Sequence, residues 1–138
     1  LAVADVGTVL NPRGLEGQLH GGAIMGFGHI RGQKWVYDQR YGVPLAKRFH
    51  YNKPMTILDI PTEVPMQWDT VNIPDPQTPV GAKGVAEAAV GAGSAALRCA
   101  LAAAIGDDLV RRTPVSPDMI LNSLEAGRRV DEGLTSHV

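Results

Sequence analysis

A glycine-bearing loop at residues 81–87 is the first segment whose residue types could support chemistry. It reads Gly-Ala-Lys-Gly-Val-Ala-Glu, and the alanine-rich sequence after it predicts a helix from about Ala88. Gly81 and Gly84 allow the backbone to approach a bulky or charged ligand. The positive end of the helix favours a carboxylate such as that of Glu87. A tight connection without a ligand has the same composition and is the commoner case, so the loop alone leaves both interpretations open. It is not the phosphate loop of nucleotide hydrolases, which needs serine or threonine after the lysine.

Gln18 is a second candidate, because it lies in an unusually glycine-dense segment that predicts a helix. Gly17 precedes it, and Gly14 and Gly21 lie about one turn away. Each helical glycine costs up to ~1 kcal/mol relative to alanine, so this density indicates that another helix or a ligand approaches the backbone closely. A side-chain amide provides donors and an acceptor, which suits a phosphate or a pterin edge. A glutamine that merely faces solvent is the alternative, and composition favours it.

The remaining chemistry-bearing residues indicate no metal site built from protein ligands. His20, His29, His50 and His137 have no metal-binding spacing with one another or with the single cysteine. Cys99 lies in the alanine-rich helix, where a small core residue is the better interpretation than a reactive thiol. No serine lies in a nucleophile-elbow pattern.

The elements that must position these residues predict an α+β fold of short strands and long helices. Asn11 and Pro12 are typical of a helix start, and Leu15, Leu19 and Ala23 form an apolar stripe that continues to Phe27. The predicted elements are a strand at 1–6, a helix at 12–31, hairpin strands at 34–37 and 45–51 joined by a turn at 38–42, a strand within 64–71, a helix at 88–105 and a short helix opened by Ser116-Pro117-Asp118. The tail after Gly127 is polar, and we expect it to be frayed.

The composition is typical of a globular protein, and we expect that this protein does not work alone. Hydrophobic residues make up 44% and charged residues 20%, and the net charge of -1 indicates neither a nucleic-acid partner nor an anionic membrane. We expect no segment to approach the apolar length of a membrane span, and we find no signal segment. Aromatic residues are only 5%, and the chain opens at Leu1 inside an apolar run. The independent core is therefore thin, and we expect the chain to be part of a larger assembly.

Two signatures, in order, resemble one protein family. The first comprises Asp5-Val6-Gly7, Asn11-Pro12, Glu16-Gly17-Gln18 and Gly21-Gly22, and the second is the run from Pro79 to Glu87. They resemble the molybdenum-binding subunits of the xanthine dehydrogenase and aldehyde oxidase family, which includes carbon monoxide dehydrogenase large subunits. The resemblance covers about residues 1–126 and is to the C-terminal part of that subunit. It implies a segment of the molybdopterin-binding domain at 1–127 and a polar tail at 128–138.

The resemblance implies specific roles for the candidate residues. In the family, molybdopterin is held between two large domains and is often a cytosine dinucleotide in bacteria. By resemblance, Gln18 contacts the cofactor's phosphate or pterin end. The loop residues Gly81, Ala82, Lys83, Gly84 and Val85 pass beside the pterin and the metal. Glu87 is the general base that deprotonates the water-derived nucleophile activated by molybdenum.

The resemblance also implies an assembly and a reaction. The family hydroxylates aldehydes or N-heterocyclic and purine-type compounds, with water as the oxygen source. Electrons leave through iron–sulfur clusters to FAD on partner domains or subunits, whose cysteine ligands are absent here. The expected partners are thus the remainder of the molybdenum subunit, an iron–sulfur subunit, an FAD subunit and a small-molecule substrate, in the cytoplasm.

Ala86 departs from the pattern, because the family usually has glycine before the glutamate. If that position required a positive φ, alanine would strain the loop. This departure favours the alternative of a non-catalytic assembly or interaction domain that retains the fold. A dinucleotide-binding module is a third possibility, but the chain lacks the strand–Gly-x-Gly-x-x-Gly–helix unit that such a module needs.

Overall fold

The structure, a computed structural model, describes residues 1–63, 65–107 and 110–126 of the chain. Its helices and strands are β1 (Ala2–Ala4), α1 (Pro12–Arg31), α2 (Phe49–Asn52), a 3-10 turn (Ile57–Asp59), β2 (Trp68–Thr70), α3 (Ala88–Ile105) and α4 (Pro117–Ala126). The α+β prediction is confirmed, and α1 and α3 have the predicted bounds. The polar tail and Val64 lie outside the described residues.

The start of α1 follows the capping chemistry of its sequence. The backbone N–H of Gly14 donates to Oδ1 of Asn11 at 2.9 Å, and the N–H of Leu15 donates to the carbonyl of Asn11 at the same distance. Pro12 occupies the first helical position, where no N–H is needed. Leu15, Leu19 and Ala23 are buried as the apolar stripe predicts.

The chain forms two compact units, each built from two separate stretches. The first comprises residues 1–27 and 55–95, and the second comprises residues 28–54 and those from 96 onwards. In the first unit, Val6, Leu15 and Leu19 form the core, with Trp68 and other partly buried apolar side chains against it. In the second, Ile30, Val110 and Val115 are buried, and the N–H of Val115 donates to the carbonyl of Ile30 at 2.6 Å.

The two strands form a parallel pair in the first unit. Ala2, Val3 and Ala4 stand opposite Trp68, Asp69 and Thr70, respectively. A two-stranded sheet has little stability of its own, so these strands depend on the core beneath them. The predicted first strand is longer than the observed one, and the strand expected within 64–71 is observed over three residues.

The predicted hairpin is only partly correct. Asp38 turns the chain as expected, and Tyr37 and Pro44 form an isolated antiparallel bridge. The second strand, predicted at 45–51, is wrong, because α2 occupies its end. Pro44 has no N–H to donate to a ladder, and a left-handed Lys53 (φ 52°) closes α2.

The expectation that no segment reaches the apolar length of a membrane span is wrong for α3. Its eighteen residues have a mean hydropathy of 1.6, and by length and composition alone they could cross a membrane. The cause is a run of alanine, valine and leucine in which Arg98 is the one charged residue. The core helix of a soluble protein passes the same test, so this finding carries no membrane assignment.

Candidate functional site

The structure brings the two sequence signatures together in the first unit. Gly7 and Ala82 form an antiparallel bridge. The N–H of Thr8 donates to the carbonyl of Gly81, and the N–H of Lys83 donates to the carbonyl of Val6, both at 2.8 Å. Segments 75 residues apart in sequence are therefore joined by backbone hydrogen bonds, and the loop is fixed against the end of the first strand segment.

Gly81 is glycine for two observable reasons. Its φ is +69°, in the left-handed region that side chains disfavour. A Cβ atom there would also lie 2.8 Å from Cβ of Pro74 and from Oγ1 of Thr8. The residue is buried, and its carbonyl accepts from the N–H of Asp75 as well as from that of Thr8. Gly81 thus fixes the conformation of the loop from its buried side.

An ion pair spans the same junction. The ammonium of Lys83 donates to Oδ2 of Asp5 at 2.5 Å, while Oδ1 of Asp5 accepts from the N–H of Gly7 at 3.1 Å. The hydrogen bond from Lys83, followed by that from Gly7, lowers the pKa of Asp5, and the hydrogen bond to Asp5 raises the pKa of Lys83. The positive charge expected to serve a ligand is therefore already held by a carboxylate.

A cavity of about 340 Å³ lies beside this junction. Four of the predicted cofactor-binding residues line it: Gln18, Ala82, Lys83 and Val85. The other two do not. Gly81 lies behind the loop, whereas Gly84 is exposed, and a Cβ atom on it would meet nothing within 4 Å.

Sequence reasoning missed much of the cavity wall. The further lining residues are Val6, Thr8, Val9, Leu10, Asn11, Gly14 and Leu15. Most of them are apolar; Thr8 and Asn11 are the polar ones among them, and Oδ1 of Asn11 also caps α1. Their proximity in sequence to the first signature could have indicated them. No periodic pattern in a sequence, however, distinguishes the residues of a cavity wall from those of a core.

Glu87 lies immediately before α3 and is exposed. Its backbone carbonyl accepts from the N–H of Val90 at 2.9 Å, which begins the helix. Val85 and Ala89, two residues to either side, pack against the core. The backbone is thus held on both sides of Glu87, while its side chain is exposed and does not line the 340 Å³ cavity.

Ala86 does not strain the loop. Among the residues that the structure describes, Lys53 and Asn72 are the non-glycine residues with positive φ. Alanine is therefore compatible with the backbone before Glu87, and the strain expected from this departure is absent.

The glycines of α1 divide into two faces. A Cβ atom on Gly26 would lie 2.3 Å from the carbonyl oxygen of Val90, and one on Gly93 would lie 2.8 Å from that of Ala23. The Ser94 hydroxyl also donates to the carbonyl of Gly26 at 3.0 Å. This face therefore packs closely on α3. A Cβ atom on Gly17 or Gly21 would meet nothing within 4 Å, so the face that carries Gln18 is open.

Two further polar features of the described residues concern unpaired atoms and metal binding. Nε2 of His20 is buried without a hydrogen-bond partner in the described part of the chain. Within the same residues, no group of three or more histidine, cysteine, aspartate or glutamate side chains could hold a metal ion.

Comparison with known proteins identifies the family. Residues 1–61 match the molybdopterin cofactor-binding domain. The carbon monoxide dehydrogenase large chain of Afipia carboxidovorans is 38% identical over 62% of this chain and 10% of its own length. A putative xanthine dehydrogenase molybdenum-binding subunit of Escherichia coli is 32% identical over 85% of this chain and 15% of its own.

A solved structure agrees with these relatives. The quinoline 2-oxidoreductase of Pseudomonas putida 86 is 28% identical, with a TM-score of 0.76, over 88% of this chain and 15% of its own. The chain belongs to the xanthine dehydrogenase and aldehyde oxidase family of molybdopterin-binding proteins. It spans between 10% and 15% of the length of these relatives. The matched domain contains the first signature and ends before the second.

The cavity fits a part of such a cofactor. Its wall is mainly apolar, which would suit the face of a planar heterocycle, and Gln18 and Thr8 are polar residues of the lining that could meet its edges. Glycine leaves the helix face beside Gln18 free of side-chain atoms.

Proposed function

We propose that this chain is a component of a molybdenum hydroxylase that hydroxylates an aldehyde or an N-heterocyclic, purine-type substrate with water as the oxygen source. The observation that carries the proposal is the junction of the two signatures at Gly7 and Ala82, beside a cavity lined by Gln18, Ala82 and Lys83. A family resemblance in sequence alone would not require these distant segments to meet around one concave surface.

Gln18 and the loop would hold the cofactor. The Gln18 amide is exposed beside the open glycine face, so it can donate to a phosphate or pterin edge without leaving another partner unsatisfied. Gly84 has room for a close approach, and Val85 supplies apolar wall. Gly81 would act indirectly by shaping the loop. The bacterial cytosine dinucleotide form is our expectation for the cofactor.

Glu87 would act as the general base. When the cofactor is bound, molybdenum supplies the two-electron redox chemistry. The carboxylate of Glu87 would accept a proton at one of its Oε atoms, and the packing of Val85 and Ala89 holds the backbone on either side of it.

The assembly would consist of the remainder of the molybdenum subunit, an iron–sulfur subunit and an FAD subunit in the cytoplasm, with residues 1–127 as one segment of the cofactor-binding domain. One relative, from Paenarthrobacter nicotinovorans, is named subunit gamma of a dehydrogenase complex. Large apolar side chains such as Leu10 and Leu58 are 66% and 91% exposed. Such exposure supports cover by further protein.

A non-catalytic assembly domain remains the alternative. One feature that favoured it was strain at Ala86, and the backbone there has no positive φ. The enzyme interpretation is therefore the one that the site supports better.

Analysis of the complete complex tests the proposal. We expect molybdenum and a pterin nucleotide in the purified complex. Turnover in ¹⁸O-labelled water should place the label in the product. A complex that contains no molybdenum and no pterin when purified from molybdate-supplemented cells would contradict the enzyme function and favour the assembly domain.

A further inference from the structure

Residues 34–53, here called the basic–aromatic segment, differ in composition from the rest of the chain. They contain five of the seven aromatic residues and five of the thirteen lysines and arginines, but one acidic residue, Asp38. Against the net charge of -1 for the whole chain, this segment is strongly positive. It lies within the second unit, and the cofactor chemistry described above does not use it.

The aromatic side chains of the segment are exposed. Trp35 is 77% exposed, Tyr41 70%, Phe49 78% and Tyr51 62%. Isolated exposed apolar side chains are ordinary, but such a concentration of large rings in one short segment is typical of an interaction site. Tyrosine, tryptophan and arginine are also the residues most enriched where protein interfaces gain their affinity.

The segment is ordered by its own hydrogen bonds. The N–H of Asp38 donates to the carbonyl of Val43 at 2.9 Å, and the N–H of Leu45 donates to that of Val36 at 2.7 Å. The rings of Trp35 and Tyr37 stack with centroids 6.1 Å apart and an interplanar angle of 18°. A surface fixed in this way loses little conformational entropy on binding.

Within the segment, Lys47 and Arg48 have no carboxylate to pair with, whereas Lys34 interacts electrostatically with Asp118. Oδ1 of Asp38 accepts from the backbone N–H groups of Arg40 and Tyr41, so that carboxylate is committed to the turn. Lys47 and Arg48 form no ion pair with any residue in the described part of the chain. Together with Phe49 and His50 they line a concave surface of about 440 Å³.

We infer that the basic–aromatic segment is a docking surface for an acidic face of another protein subunit. Carboxylates of that subunit would pair with Lys47, Arg48 and the neighbouring cations, while the exposed rings provide apolar anchors. Complementary charge of this kind steers association and fixes orientation. The inference rests on the proposal that the chain works in a multi-subunit complex.

Single-stranded nucleic acid is the other ligand that basic and aromatic residues can bind. The ring arrangement disfavours it, because bases stack on free ring faces. Trp35 and Tyr37 each cover a face of the other, and the Arg40 guanidinium lies 5.1 Å from the centroid of the Tyr41 ring. These contacts occupy one face of each of these three rings, so fewer ring faces are open to a base than the aromatic content suggests.

Zero-length cross-linking of the intact complex with a carbodiimide tests the inference directly, because the reagent joins amines to carboxylates in contact. We expect Lys47 or Lys53 to be joined to an aspartate or glutamate of a different subunit. Cross-links from these lysines to the same polypeptide alone would overturn the inference, since the segment would then be covered within its own subunit.

Charge reversal supplies the second measurement. Lys47→Glu with Arg48→Glu in the full molybdenum subunit should weaken association with the rest of the complex by at least ~10-fold at low salt, and less at high salt. Arg13→Glu with Arg112→Glu changes the charge equally at two exposed positions outside the segment and is the matched control. Equal association of the two double variants would overturn the inference.

Two further readouts separate the possible failures. Labelled polyuridine is the probe for nucleic acid: binding that only the Lys47/Arg48 variant loses, while subunits still assemble, would replace the inference with the nucleic-acid alternative. Molybdenum content and turnover per metal report on the proposed function. If both are intact and no inter-subunit cross-link forms, the docking surface alone is wrong.

Discussion

The carbonyl oxygen of Gly81 occupies the space that a side chain on Gly7 would need, 2.1 Å from the position of its Cβ atom. The same carbonyl accepts hydrogen bonds from the N–H groups of Thr8 and Asp75, each at 2.8 Å. This contact joins the two signatures, and a side chain at residue 7 would have to separate them. The junction therefore depends on glycine at this position more than on any hydrogen bond.

We expect Gly7→Ala to lower the free energy of unfolding of the complete molybdenum subunit by at least ~2–3 kcal/mol, from a positive φ of 61° and overpacking together. Gly42→Ala is the matched control, because its φ is +65° and its Cβ would meet nothing within 4 Å. It isolates the conformational cost, about 1–2 kcal/mol. Chemical denaturation measures the stability of both variants. Equal losses of stability would show that the carbonyl of Gly81 can move away from the added methyl group.

A second glycine pair tests the packing of α1 on α3. Gly26→Ala should destabilise the subunit by ~1–3 kcal/mol, because its Cβ would lie 2.3 Å from the carbonyl oxygen of Val90. Gly21→Ala, on the open face of the same helix, should be neutral or stabilising by about 0.4–1 kcal/mol in the cofactor-free subunit. Thermal unfolding distinguishes them. Similar shifts in the two variants would mean that α1 and α3 do not pack as described.

The sequence predicts these helices well because their signals are local. Asn11 and Pro12 specify the start of α1 through capping, and Gly106, with a φ of +100°, follows the last residue of α3. The bounds of both helices therefore need no tertiary information. The second hairpin strand fails for the opposite reason, because apolar residues at 45–51 fit a strand or a helix until the contacts of Pro44 and Lys53 are known.

The site is predictable only in part from the residues themselves. The resemblance selected Gln18 and the loop, but local chemistry does not reveal that Lys83 pairs with Asp5, 78 residues away. Nor does it distinguish Gly81, which is fixed by contacts, from Gly84, which faces open space. Such differences arise from the meeting of distant segments, and sequence patterns carry little information about them.

The Asp5–Lys83 pair gives a pH dependence with a defined sign. Because the pKa of Asp5 is lowered in the folded chain, its contribution to stability is present above the unfolded pKa and is lost as the pH falls below about 4. The pKa of Lys83 is raised, so its contribution is present below about pH 10.4 and is lost as the pH rises further. The pair is thus complete at neutral pH. Both side chains are exposed, so we expect a small effect on stability.

Aspartate-selective NMR provides the measurement. Lys83→Met should raise the pKa of Asp5 towards its ordinary value. The variant loses the hydrogen bond from Lys83, which lowers that pKa more than the hydrogen bond from Gly7 does. Lys47→Met, which removes an equal charge elsewhere, should leave it unchanged. An Asp5 pKa that is the same in all three proteins would contradict the pair.

Gln18→Ala should lower cofactor occupancy more than turnover per bound molybdenum. The amide is exposed on the wall of the cavity, and losing a hydrogen bond to a charged group costs about 1.5–3 kcal/mol. That cost corresponds to roughly one to two decades in affinity. Molybdenum content after gentle dialysis is the readout, and Gln39→Ala in the turn at 38–42 is the control. Full retention of the metal by Gln18→Ala would refute the assignment.

Glu87→Gln is the sharpest test of the mechanism. Glutamine preserves the size and hydrogen bonding of the side chain but cannot accept the proton. We expect the variant to fold, assemble and bind molybdenum fully, because the anchors at Val85 and Ala89 do not involve the carboxylate. It should nevertheless lose at least the ~10²–10⁴-fold that acid–base catalysis contributes.

Glu87→Asp should retain an intermediate rate, because its carboxylate is held about one bond length short of its target. Glu125→Gln removes an exposed carboxylate from α4 and is the matched control for charge. Near wild-type turnover by Glu87→Gln with a full metal load would show that another group is the base. Loss of molybdenum in the same variant would instead assign Glu87 to holding the loop, since a base that acts only on the proton has no reason to alter occupancy.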